Sequence, residues 1–255
     1  MAEIAAQDSG NKTPLEGEFS TDVDVLLAEY ESAQSGADQR ARMVRLPSRL
    51  TASQIVSLKE DPDDFARRLR RPIPYKPNRY ARRGTEFHTW VEDRLAGRHA
   101  TLLDIEDFVP SADDIPEPRS LAGLKESFQN SEWGRRATTM VEVPFDVSLG
   151  SVVINGRIDA VFQDGPDHYT VVDWKTGAEP RSHKERDTKA LQLAVYRIAF
   201  CRLVNARRQQ QGQTAIPLEN IRAAFYYVAH NNTLWLDDLS TPAQIDEMIA
   251  QFSTS

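Results

Sequence analysis

Asp159, Asp173 and Lys175 are the residues of this sequence best placed to do chemistry together. They sit in Gly156-Arg157-Ile158-Asp159 and, one short turn later, in Asp173-Trp174-Lys175-Thr176-Gly177. Both stretches alternate apolar and polar residues, the pattern of strands. Period two puts Asp173 and Lys175 on one face, with Tyr169 and Val171. Asp164-Gly165-Pro166-Asp167 is rich in turn formers. A turn centred on Pro166 sets Asp159 opposite Asp173, with Cβ atoms roughly 4.5–5.5 Å apart. Two facing carboxylates repel unless one is protonated, a base lies beside them or a divalent cation joins them. Lys175 supplies the base, aimed at the same spot. Two acids and an ammonium converging on a sheet end suit a hard cation with a phosphate bound beside it. The plain alternative is a surface Asp–Lys pair, contributing about 0–1 kcal/mol. The Gly-Arg-Ile-Asp spacing, the hairpin and the Lys-Thr-Gly weigh against it.

Three further elements border this pair. His88 follows the apolar Phe87 in "GTEFHTWVEDRL" and falls at the edge of a helix's buried face. It reads as a metal ligand steadied by Glu92 four residues on, or as an ordinary surface His–Glu pair. Gln192 and Tyr196 share a helix face beside an apolar stripe. They suit a phosphate or nucleotide, and equally a half-buried amphipathic pair. Glu142 alternates away from Val141 and Val143, so it faces either solvent or the site.

The elements that must position these residues follow from periodicity. Residues 1–45 are acidic and rich in Ala, Ser, Gly and Gln, a flexible lead-in or a linker from a longer polypeptide, or simply a ragged terminus. The domain is expected over residues 46–255. Ile55 and Leu58 mark one helix, and Pro62 begins another with Phe65 and Leu69 inward. A third is expected to start near Gly84. Residues 104–118 read as an acidic, proline-rich loop, followed by a helix over "SLAGLKESFQNSEW". Three strands follow, an antiparallel meander: "TTMVEVPFDV", "SVVINGRIDAVF" and "HYTVVDWKTG". A strong helix runs from Thr188 to about Ala206. Residues 221–230 read as a strand, and a short helix comes last. The expected fold is α/β, a central mixed sheet flanked by helices with a helical N-terminal extension.

Composition narrows the function. The net charge is −7. Residues 1–38 hold nine acids and the single base Lys12, so the remainder carries +1. Overall acidity therefore says little about the domain's partners. Residues 67–83, by contrast, hold eight bases, three prolines and no acid. With Tyr75 and Tyr80 interleaved, this tract suits a single nucleic-acid strand through phosphate contacts and stacking, or is a solvated basic surface. Arg181, Lys184, Arg186 and Lys189 form a second strip. No apolar run reaches membrane-spanning length, and the first ten residues lack the make-up of a secretory signal. The one cysteine, Cys201, excludes an internal disulfide and a four-cysteine iron–sulfur cluster. No G-x-x-x-x-G-K-[ST] loop is present, so no ATP site is expected in this chain.

Taken together, "RRGTEFHTWVE" (82–92), "NGRIDAVF" (155–162), "VVDWKTG" (171–177) and "LQLAVYRIAF" (191–200) resemble the PD-(D/E)XK nuclease superfamily in its RecB-like branch. The flanking "LPSRLTASQIVSLKEDP" and "RRPIPYKPNRYARRGT" resemble more narrowly the nuclease module of actinobacterial AdnB-type (UvrD/RecB-like) helicase–nucleases. The resemblance implies a restriction-endonuclease-like core. It implies Mg²⁺ or Mn²⁺ held by His88, Asp159, Asp173 and the backbone carbonyl of Trp174, and Lys175 as the catalytic lysine. Gln192 and Tyr196 match the family's Q-x-x-x-Y helix, with Glu142 and Glu92 in support. Arg67, Arg68, Arg70, Arg71, Lys76, Arg79, Arg82 and Arg83 are the expected DNA contacts. Ile158 stands where the superfamily often has proline. The implied function is hydrolysis of phosphodiester bonds in single-stranded DNA, leaving a 5′-phosphate. The implied setting is a cytoplasmic, nucleoid-associated helicase–nuclease that processes double-strand breaks for recombinational repair, with the motor in cis or on a partner subunit. The alternative is an inactive DNA-binding or scaffolding module of the same fold.

Overall fold

The computed structural model describes residues 46–71, 79–97, 120–236 and 238–253. The 1–45 lead-in, the 104–118 loop and Lys76 lie outside them. Six strands among the described residues form one mixed sheet: β1 (Arg49–Thr51), β2 (Met140–Leu149), β3 (Val152–Gly165), β4 (His168–Lys175), β5 (Ile221–Tyr227) and β6 (Asn232–Trp235). β2, β3 and β4 are the expected antiparallel meander. β5 runs parallel to β4, β6 antiparallel to β5, and β1 parallel to β3. The helices are α1 (Ala52–Glu60), α2 (Pro62–Arg70), α3 (Arg79–Leu95), α4 (Leu121–Asn130), α5 (Glu132–Arg135), α6 (His183–Gln210) and α7 (Pro242–Ser253).

Side chains start and stop these helices. Thr51 Oγ1 accepts the Gln54 N–H and Gln54 Oε1 accepts the Thr51 N–H, a reciprocal cap that turns β1 directly into α1. Asp61 caps α2, whose first residue is Pro62. Ser182 caps α6, which starts at His183 and ends at Gln210, beyond both expected limits; its first turn is polar and exposed, so no apolar stripe marked it.

Other boundaries also differ from expectation. α3 begins at Arg79, not near Gly84. The tract's last proline is Pro77, so nothing opposes helix over 79–83. Gly84 is absorbed at about 1 kcal/mol, and a Cβ there would come within 3.2 Å of Thr176 Oγ1. That glycine lets α3 close on the end of β4. The single helix expected over "SLAGLKESFQNSEW" breaks at Ser131. Its hydroxyl donates to the Phe128 carbonyl at 2.6 Å and accepts the Gly134 N–H at 3.0 Å, ending α4 and starting α5. The strand read over 221–230 stops at Tyr227, where a 3₁₀ turn (Val228–His230) leads into β6.

Two apolar cores cover the sheet. One packs α6 and α1 through Leu191, Ala194, Val195, Ile198 and Ile55 against Val143, Phe145, Ile154, Val171 and Phe225. The other packs α3 and α4 through Phe87, Val91, Leu124 and Phe128 against Ala160, Phe162, Val172 and Trp174. Trp174 sits edge-on to Phe128 at 5.2 Å and to Tyr226 at 5.9 Å. Such aromatic pairs add about 0.5–1.5 kcal/mol each beyond burial. They pin the end of β4 that carries Asp173 and Lys175. No helix among the described residues is long and apolar enough to cross a membrane.

Candidate active site

β3 is the strand on which the site is built. One of its edges pairs with β2 over most of its length. The other pairs with β1 at Val153–Asn155 and with β4 from Ala160 onward. Between them, Gly156 to Asp159 have no strand on that edge among the described residues. The turn pairs Gly165 with His168, so it centres between Pro166 and Asp167 and not on Pro166; a shift between Gln163 and Gly165 then sets Ala160 opposite Val172, where the ladder ends short of the expected Asp159–Asp173 pair. Where the ladder stops, the Asp159 carboxylate enters the gap. Its Oδ2 accepts the Trp174 N–H at 2.7 Å, in a bond buried from solvent.

β2 supplies an acid through a local change of hand. Met140 and Val143 both face the α6 side, as do their partners Val161 and Ile158. Three-residue spacing cannot do this in a regular strand, where faces alternate. Glu142 takes φ +51°, a left-handed conformation costly for a side chain of its shape, and the register places it opposite Asp159. The sequence left Glu142 between solvent and site; it turns to the site. One donor atom each from His88, Glu142 and Asp159 falls within 4.8 Å of the others. His88 Nδ1 is 3.5 Å from Asp159 Oδ2. His88 reaches this point because its neighbour Phe87 is fully buried and fixes the rotation of α3. Arg157, which sequence reasoning gave no role, brings its guanidinium 3.3 Å from Glu142 Oε2.

The second half of the site lies on β4 and α6. Lys175 Nζ is 2.7 Å from Asp173 Oδ2, on the shared face that alternation requires. The Gln192 amide spans this pair: its Oε1 accepts from Lys175 at 3.3 Å and its Nε2 donates to Asp173 Oδ1 at 3.3 Å. The same Nε2 donates to the Tyr196 hydroxyl at 2.7 Å. Tyr196 in turn stands edge-on to Phe145, ring centres 5.6 Å apart. Phe145 lies over Gly156, where a Cβ would meet the ring at 2.8 Å. A packed chain therefore runs from the Gly-Arg-Ile-Asp strand to the lysine.

Electrostatics mark the site as short of positive charge. Burial pushes the Asp173 carboxyl up to about 6, against the pull of Lys175, and the Asp159 charge pushes the same way. Asp173 is 3% exposed, and its enclosed Oδ2 has charge contact with Lys175 but no hydrogen bond of good geometry. Burial and Asp159 raise Glu142, Arg157 offsets part of this, and Glu92 adds to it. Burial works against a charged His88, but Asp159, Asp173 and Glu142 outweigh it and raise its pKa. Converging carboxylates with an imidazole are what a divalent cation relieves. The donor set of two carboxylates and one imidazole fits Mg²⁺ or Mn²⁺.

The basic tract is only partly placed. Arg67 and Arg68 lie on α2 and pair with Asp64 at 3.2 and 2.6 Å, while Arg82 pairs with Glu86 on α3 at 2.9 Å. These exposed pairs contribute little to stability. Arg70 ends α2, Arg71 follows it, and Arg83 is on α3. The side chain of Arg79 lies outside the described residues.

A profile of the PD-(D/E)XK nuclease superfamily matches residues 49–253. No curated protein matches the chain. Among solved structures, one titled "Crystal structure of SSO0001" is similar to it at 13% identity, covering 92% of this chain and 87% of that one, with a TM-score of 0.33.

Proposed function

The chain belongs to the PD-(D/E)XK nuclease superfamily, and from that premise we propose that it is a metal-dependent nuclease acting on single-stranded DNA. The observation that carries this reading is the joining of two groups at one gap in the sheet. His88, Glu142 and Asp159 lie on one side, and Asp173, Lys175 and Gln192 on the other. His88, Glu142 and Asp159 would hold a divalent cation, with Asp173 and the Trp174 carbonyl as the further oxygen donors expected from the sequence. When bound, such a cation makes a water more acidic and draws charge from a phosphoryl oxygen.

The chain's own residues do the rest. The Trp174 N–H fixes one Asp159 oxygen, which leaves the other to face a ligand. Asp173 holds the Lys175 ammonium close, and Gln192 bonds to both. Lys175 positions the attacking water or offsets charge developing on the phosphate. The basic residues of 67–83 guide the strand by phosphate contacts. The likeness to AdnB-type enzymes supports a wider role: a nuclease module of a helicase–nuclease in the cytoplasm, working on double-strand breaks with a motor in cis or on a partner subunit.

Incubation of labelled single-stranded and duplex DNA with the protein in Mg²⁺, Mn²⁺ or EDTA tests the reading. Cleavage is expected with either metal, faster on the single strand, and absent in EDTA and in Asp159→Ala. Cleavage at the wild-type rate in Asp159→Ala or Lys175→Ala overturns the site. Binding without cleavage under every metal overturns the enzyme reading in favour of a scaffold.

A further inference from the structure

Lys189 stands beside the site without a role in the chemistry above. Along β4 and β5, Asp173 pairs with Phe225 and Lys175 with Tyr227. The Lys175 ammonium lies 5.0 Å from the centre of the Phe225 ring. The Lys189 ammonium, from α6, lies 5.6 Å from the centre of the Tyr227 ring and donates to its hydroxyl at 3.4 Å. Two ammonium groups thus stand over successive rings of one strand face, where alternate residues are roughly 6.5–7 Å apart. Lys189 is also one helical turn before Gln192, so both project from the same side of α6.

The two lysines differ in their partners. Lys175 has the Asp173 carboxylate and the Gln192 amide. No carboxylate among the described residues lies within ion-pair distance of Lys189. Burial and the Lys175 charge lower its pKa, and Glu185, Asp173 and Glu60 offset this from further off. A half-buried ammonium that feels a second one and has no carboxylate within ion-pair distance is a place where an anion is favoured. The ammonium itself is held over the buried Tyr227 ring.

The geometry points to a phosphate-binding position in which Lys189, aligned by Tyr227, holds the phosphate next to the one facing Lys175. This rests on the nuclease reading and adds a second contact along the bound strand. It makes Lys189 a binding residue, with Tyr227 positioning it.

The test measures binding of a short single-stranded oligonucleotide in EDTA over a salt series, for wild type, Lys189→Gln, Lys189→Arg and Tyr227→Phe. Lys189→Gln is expected to weaken binding several-fold and to flatten the slope of log K against log salt by about 0.7, one phosphate contact on a single strand. Lys189→Arg is expected to keep the slope, and Tyr227→Phe to fall between. With Mg²⁺ present, the loss is expected in KM, with kcat changed by less than about threefold. An unchanged slope in Lys189→Gln, or a loss confined to kcat, overturns the proposal while wild-type cleavage leaves the nuclease reading standing. Wild-type protein that neither binds nor cleaves overturns both.

Discussion

Asp159 and Trp174 meet across a broken ladder: the carboxylate of one takes the backbone N–H of the other at 2.7 Å, where β3 and β4 stop pairing. The bond does two things at once. It satisfies a buried N–H that the ladder no longer serves, and it orients an acid that is 8% exposed. Asn can accept the same bond but carries no charge. Asp159→Asn is therefore expected to fold with its melting temperature within a few degrees of wild type and to lose metal affinity at least tenfold. Calorimetric titration with Mn²⁺ beside a thermal melt checks both. Unchanged affinity would separate Asp159 from the metal.

Glu142 carries the strain of the site. Left-handed backbone costs a non-glycine residue about 1–2 kcal/mol, and glycine's own entropic cost is about 0.5–1 kcal/mol. Glu142→Gly is expected to leave stability within about 1 kcal/mol of wild type or raise it. Metal affinity is expected to fall. A denaturant melt paired with Mn²⁺ titration reads both quantities. A large loss of stability with metal binding intact would make Glu142 a structural residue.

The buried Asp173 sets a pH dependence. Its pKa is raised from 3.8 to about 6, so the folded protein holds a proton that the unfolded chain releases earlier. The stability this contributes is present below about pH 4 and is lost as pH rises through 6. His88, also raised, contributes stability below its unfolded value of 6.5 that is lost as pH rises through its folded pKa. Metal-free protein is expected to melt several degrees lower at pH 7.5 than at pH 5, with a shallower trend in Asp173→Asn. Added Mn²⁺ is expected to reverse the trend, because protons compete with it for the same atoms. Melts across pH in EDTA and in Mn²⁺ give the answer. An identical slope in Asp173→Asn would remove that carboxyl from the account.

Gln192 links the lysine, its carboxylate and Tyr196. Lys175→Ala is expected to lower kcat by roughly 10²–10³-fold while leaving Mn²⁺ affinity within about threefold. Gln192→Ala is expected to lower kcat by about tenfold, since the pair it steadies stays in place. Single-turnover cleavage resolves the two. Equal losses would mean that Gln192 meets the substrate itself.

Packing against the glycine strand has its own signature. A Cβ at residue 156 would lie 2.8 Å from the Phe145 ring, which supports Tyr196. Gly156→Ala is expected to destabilise the fold by about 1–3 kcal/mol and to slow cleavage, with Phe145→Leu partly restoring both. Denaturant melts of the single and double variants show whether the two sites couple.

Much of the site was legible because its residues obey short-range rules. The turn formers at 164–167 marked the β3–β4 hairpin, although its register also needed the shift between Gln163 and Gly165, and period two put Asp173 beside Lys175. Four-residue spacing brought Gln192 to Tyr196. What stayed hidden depends on distant contacts. β1 and β6 are three and four residues long, too short to show alternation, and β1 pairs with a strand about a hundred residues away. Nothing in "MVEVPF" signals a left-handed residue, since strict alternation was the expectation there and Glu142 departs from it. Arg157 lay inside the motif but had no partner until Glu142 turned inward.

Anomalous scattering from a crystal grown with Mn²⁺ tests the metal site formed by His88, Glu142 and Asp159. A peak is expected among His88 Nδ1 or Nε2, a Glu142 oxygen and an Asp159 oxygen, at about 2.0–2.3 Å from its ligands. The peak should vanish in Asp159→Ala. A peak away from the gap between β3 and β4, or no peak at millimolar Mn²⁺, would contradict that site.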